Sequence, residues 1–144
     1  MANTTSFGWE TPDNTDLVKD GALAIRTLGE AIDTSFKGVA INAQTVASYT
    51  AVLADGLNKI ITMDYATAND FKIPTDASVA FPTGTVLNLY CKGAGTTTIS
   101  AVTSGTTTIA SAGATATAPT LATKKAASCI KIAANSWIVV GAIA

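Results

Sequence analysis

Chemistry in proteins starts from a short inventory of side chains, and this chain holds little of it. There is no histidine, which removes the commonest general base, the commonest metal ligand and the usual pH switch together. The carboxylates are Glu10, Asp13, Asp16, Asp20, Glu30, Asp33, Asp55, Asp64, Asp70 and Asp76. A glycosidase needs two of them facing each other across a sugar. Asp64, Asp70 and Asp76 fall in loop-like stretches at a six-residue spacing that has no mechanistic meaning, and they read as solvated loop carboxylates. The segment Gly93-Ala94-Gly95 precedes a strand pattern and lacks the lysine of a phosphate-binding loop, and no serine sits in a G-x-S-x-G elbow. The reading is therefore no enzyme, no catalytic residue, no metal site and no cofactor.

Cys91 and Cys129 stand far apart and match no zinc or thioredoxin spacing. Each lies in an apolar strand-like run, the setting of a buried thiol. A disulfide between them requires neighbouring strands with suitable Cβ geometry.

Charged residues make up 13% of the 144 residues, about half the usual share. The formal net charge of -1 lacks the basic footprint of a nucleic-acid binder and the polybasic signal for an anionic membrane surface. No apolar run approaches the ~20 residues of a membrane-spanning helix. Met1 to Gly8 is polar and has no apolar signal core, so the expectation is a protein that starts in the cytoplasm of the cell that makes it, without a signal peptide. The 48% hydrophobic content is enough for one domain with a core and a short appendage.

These absences turn attention to the elements that could position a binding surface. Met1 to Thr15 forms a polar arm carrying Phe7 and Trp9, and Thr11-Pro12-Asp13-Asn14-Thr15-Asp16 reads as a turn leading to a helix start. A tryptophan on a polar arm wants a pocket, either on its own domain or on a neighbour. Asp16 to Phe36 is the one helix the pattern predicts. Val18, Ile25 and Ile32 recur every seven residues, with Gly21, Leu28 and Ser35 at the complementary heptad positions. Arg26 lies seven residues from Asp33 and four from Glu30, so it could pair across an oligomer axis and fix register. Three heptads with Gly and Ser in the seam need further contacts, from the same domain or from symmetry mates.

After Gly38 the period changes to two. Strands are expected at Thr45 to Leu53, Lys59 to Met63, Phe71 to Ile73, Thr85 to Lys92, Ala127 to Ile132 and Trp137 to Ile143, with Lys37 to Asn42 as a connector and Ala54-Asp55-Gly56 as a hairpin turn. Gly95-Thr96-Thr97-Thr98-Ile99 returns ten residues later as Gly105-Thr106-Thr107-Thr108-Ile109, the spacing of successive short strands, and Ser111 to Pro119 reads as an edge strand and loop. Thr and Ala dominate, at 24 and 27 residues, and branched Thr suits the pleat. The expected fold is mainly β: residues 1–37 as arm and one α-helix for anchoring and oligomerisation, then residues 38–144 as a small antiparallel β-sandwich or barrel.

The segment Trp9-Glu10-Thr11-Pro12-Asp13-Asn14-Thr15-Asp16-Leu17-Val18-Lys19-Asp20-Gly21, continued by Ala24-Ile25-Arg26-Thr27-Leu28-Gly29 and Ala31-Ile32-Asp33, resembles the N-terminal region of many tailed-bacteriophage virion proteins, among them tail fibres, minor tail proteins and capsid decoration proteins. It covers about the first quarter of the chain. Tyr49 to Pro74, Val79-Ala80-Phe81-Pro82-Thr83-Gly84-Thr85 and Trp137-Ile138-Val139-Val140-Gly141 are similar, more loosely, to β-rich C-terminal modules of such proteins.

The resemblance implies a non-enzymatic structural protein of the virion, often a homotrimer. Length favours a capsid decoration, cement or head-fibre protein, with the major capsid protein as partner. Phe7, Trp9 and Pro12 would then seat on the capsid, and Val18, Gly21, Ile25, Arg26, Leu28, Ile32 and Asp33 would mediate oligomerisation. The alternative is a tail-fibre or spike module that binds a host-surface glycan or protein. Neither reading involves nucleic acid or a membrane.

Overall fold

A computed structural model describes residues 2–4, 8–11, 20–35 and 38–144. The chain divides into two compact units, Met1–Gly38 and Val39–Ala144.

In the first unit, β1 (Ala2–Asn3) pairs antiparallel with β2 (Glu10–Thr11), Ala2 opposite Thr11. Gly8 adopts φ 65° near the end of the connection, a conformation open to glycine at little cost. The helix α1 runs Gly21–Ser35 and packs on β2. The remainder of the expected helix, residues 16–19 and 36, lies outside the described residues, and Asp20 is in 3-10 conformation immediately before α1.

The second unit is a sandwich of two sheets. Its strands are β3 (Ala40–Gln44), β4 (Ser48–Thr50), β5 (Lys59–Met63), β6 (Asn69–Ile73), β7 (Val86–Cys91), β8 (Thr97–Ala101), β9 (Thr108–Ser111), β10 (Thr120–Leu121), β11 (Ala126–Ala133) and β12 (Ser136–Gly141). One sheet has the order β3-β5-β7-β11-β12-β9 and the other β10-β8-β6-β4. The protein is thus mainly β with an N-terminal helix, as its sequence pattern implies.

The direction of the strands differs from the antiparallel expectation. From β3 to β8 the chain crosses from one sheet to the other after every strand. Consequently β3, β5 and β7 run parallel in one sheet, and β4, β6 and β8 run parallel in the other. Within this unit, antiparallel ladders form where β11 joins β7 and β12 and where β10 joins β8, with an isolated antiparallel bridge between Leu121 and Ile143. Period-two alternation marks a strand but not its direction, and parallel neighbours need a crossover, which here is a strand of the facing sheet. Ala54-Asp55-Gly56 accordingly sits in a 3-10 turn, Leu53–Gly56, rather than in a hairpin. Residues 40–42, read as connector, belong to the edge strand β3.

The core lies between the sheets. Ile61, Met63, Phe71, Ile73, Leu87 and Leu89 are fully buried, and Trp137 packs edge-on against Phe81 with centroids 5.5 Å apart at 89°. The five-residue repeat falls across the two sheets: Thr97 and Ile99 point inward from β8, while Thr107 and Ile109 point inward around β9 in the facing sheet. Its two glycines serve different ends. A Cβ on Gly95 would collide with the Thr67 backbone of the adjacent turn, whereas Gly105 takes φ 86°.

Candidate interaction surface

The predicted surface starts at the arm. Trp9 is half-buried, and its backbone N–H donates to Thr4 Oγ1 at 2.9 Å, while Thr4 N–H donates to the Trp9 carbonyl at 2.8 Å. The indole N–H donates to Ser35 Oγ at 3.1 Å, and that hydroxyl in turn donates to the Ala31 carbonyl at 2.8 Å. Trp9 is therefore held against the last turn of α1 in its own unit. Phe7 and Pro12, the other two arm residues named for partner binding, lie outside the described residues.

The helix separates the two seam lines that the heptad reading joined. Ala24 is buried, and Gly21, Leu28, Ala31 and Ser35 are half-buried, so this stripe is the packed side. Ile25 is 66% exposed and Ile32 37% exposed, about a fifth of a turn further round. Arg26 and Asp33 are exposed on the same outer side. Val18, the first member of the isoleucine line, lies outside the described residues. The result is a helix with an inner small-residue stripe already used and two isoleucines left open to solvent, flanked by charges of both signs.

In the second unit, Asp55, read as a hairpin-turn residue, and Asp76, read as a solvated loop carboxylate, are instead structural. Asp55 is fully buried. Its oxygens accept from Asn42 Nδ2 at 2.7 Å, Tyr49 hydroxyl at 2.7 Å and the Val52 amide at 2.9 Å. These donors come from β3, β4 and the residue that precedes the 3-10 turn, so the carboxylate ties together the edges of both sheets. Burial, with the Asp55 carboxylate beside it, pushes the Tyr49 hydroxyl up to about 12.

Asp76 faces Lys131, whose ammonium is nearly buried and donates to Asp76 Oδ1 at 2.6 Å and to the Phe81 carbonyl at 2.5 Å. Asn135, at φ 49° in the β11–β12 turn, accepts from the Asp76 amide at 2.8 Å and donates its own amide to Asp76 Oδ2 at 3.0 Å. The Lys131 hydrogen bond holds the Asp76 carboxyl below the usual range. Asp64 pairs at 2.7 Å with Lys92, and Asp70 lies within β6 rather than in a loop. Nothing in the spacing of these acids marked them as clasps; only Lys131, a charge inside the apolar run of β11, signalled a buried partner.

Both thiols are free and buried. Cys129 stands opposite Leu87, four residues along β7 from Cys91, which rules out the disulfide geometry. Burial pushes the Cys129 thiol up to about 12, so it is not a reactive nucleophile. Among the described residues no three His, Cys, Asp or Glu side chains converge as a metal site, and no helix is long and apolar enough to cross a membrane.

No protein-family model matches this chain, and neither the curated proteins nor the solved structures contain a match to it.

Proposed function

We propose that this chain is a non-enzymatic structural protein of a phage virion surface, a capsid decoration or cement protein that works as an oligomer. The observation that carries the reading is the N-terminal helix, whose sequence resembles virion proteins and whose Ile25 and Ile32 stand open to solvent at heptad spacing. Such a line is suited to packing against copies of itself. The arm and the helix form the anchor, and the β-sandwich is the module that the anchor carries. The mechanism is mass action: a protein that binds only the assembled shell stabilises that shell, and the gain grows with its concentration relative to its dissociation constant.

Virions stripped of the protein test this directly. They should lose resistance to heat and osmotic shock while adsorbing to host cells normally. Loss of adsorption with unchanged shell resistance would move the protein to a tail fibre or spike. Copy number separates the same two assignments, since hundreds per virion belong to a head and a handful to a tail.

A further inference from the structure

We infer that the outward face of the six-stranded sheet is a self-association surface, on which a second copy of this chain packs face to face. It rests on the assembling character argued above but uses a different surface from the helix.

The register brings one row of outward residues into line across five strands: Ile41, Ile60, Asn88, Ser128 and Val140. A second row joins Val86, Ile130, Ile138 and Ala110. Ile41 is 70% exposed and Val140 47% exposed. No outward position on these six strands carries a charge; the lysines of the sheet, Lys59 and Lys131, have the inward parity. The four-stranded sheet presents the opposite character, with Ser48, Asp70 and Thr98 in one outward row and Thr50, Lys72 and Ser100 in the next. A sandwich that faced water on both sides would show polar outward rows on both sheets.

Charge decides the occupant. A partner of unlike composition would be expected to leave some complementary charge at the face, whereas two copies of an uncharged face meet without desolvating any ion. The polar pair at its centre is already satisfied, with Ser128 Oγ donating to Asn88 Oδ1 at 2.9 Å. Two open depressions, of about 550 and 560 Å³, lie on this face, the first lined by Val39, Ile60, Ser128 and Val140 and the second by Ala110, Ile138 and Val140, and they can receive side chains of a facing sheet.

Area agrees. Six strands at ~4.8 Å spacing and about 17 Å in length present roughly 500 Å². Two such faces remove about 1,000 Å² from water, the lower limit for a specific interface. Sheets packed in this way lie ~10 Å apart with their strands within about 30° of alignment.

The test is sedimentation of the full chain from micromolar to near-millimolar concentration. The unsubstituted protein should be larger than a monomer. The double variant Ile41→Lys and Val140→Lys, at positions already open to solvent, should drop its association at least tenfold while keeping its melting transition. Thr50→Lys and Ser48→Lys on the other sheet should change nothing. A monomeric unsubstituted chain overturns the inference, and with it the oligomer of the proposed function. An unchanged mass in the folded double variant also overturns it; if Ile25→Lys then abolishes association, the helix alone carries assembly and the proposed function stands. Should the double variant not fold, Ser128→Cys decides. Its labelling by a polar maleimide should be slow at high concentration and fast on dilution, and a rate independent of concentration overturns the inference.

Discussion

Lys131 and Asp76 show what one charged pair does inside this fold. An ammonium left in the core without a counter-ion is strongly unfavourable, so the Asp76 carboxylate has to be ionised for the β11–β12 turn to stay seated. The folded carboxyl lies below its unfolded value of 3.8. Its contribution is therefore complete above about pH 5 and is lost as pH falls through the folded value. Asp76→Asn should destabilise the protein at neutral pH by roughly 1–3 kcal/mol, and should flatten the fall in stability below about pH 5. Urea titrations at a series of pH values measure both; a variant with the parental acid slope would show that other carboxylates control acid unfolding. The acid itself was visible in the sequence, but its role was not. Asp76 and Lys131 are 55 residues apart, and only the fold makes them neighbours.

The helix shows how far periodicity reaches at the level of an element. Spacing of seven located it, and α1 falls within the predicted span. The same spacing did not say which of its two lines faces inward. Small residues hold the packed side, where Ala24 is buried and Ala31 half-buried, and bulkier Ile25 and Ile32 are left outside. Gly29 is exposed, with open space around any added Cβ. Gly29→Ala should therefore stabilise α1 by about 0.5–1 kcal/mol through backbone entropy. Helicity by circular dichroism and the thermal midpoint check it. A stabilised chain with weakened self-association would place Gly29 at a helix–helix contact, where a close approach needs the missing Cβ.

The strands were equally legible as elements. Lys59–Met63 was predicted to the residue, and β7, β11 and β12 to within one or two. Their pairing was not legible, because turns of glycine and aspartate look alike whether the chain doubles back in one sheet or steps across to another. The Gly93–Gly95 turn packs on the Tyr65–Thr67 turn of the preceding crossover, with Gly95 N–H donating to the Tyr65 carbonyl at 3.0 Å. That stacking is a consequence of parallel strands, and no local signal encodes it.

For the whole molecule, the hydrophobic core cluster lies entirely within Val39–Ala144. Residues 39–144 should accordingly fold alone with one cooperative denaturant transition, and its midpoint should lie close to that of the same unit in the full chain. A fragment without a transition would show that the N-terminal unit is needed for folding and not only for anchoring.

The sequence by itself determined the class of the fold, the helix, most strand positions and the poverty of reactive side chains, because composition and periodicity act locally and survive without knowledge of contacts. Tertiary structure decided the rest: which acids are clasps, which helix line is spent, that the thiols stay apart, and that one sheet turns an uncharged face outward. Each of these depends on which strands become neighbours, and that is set by crossovers between sheets whose turns carry no mark of direction.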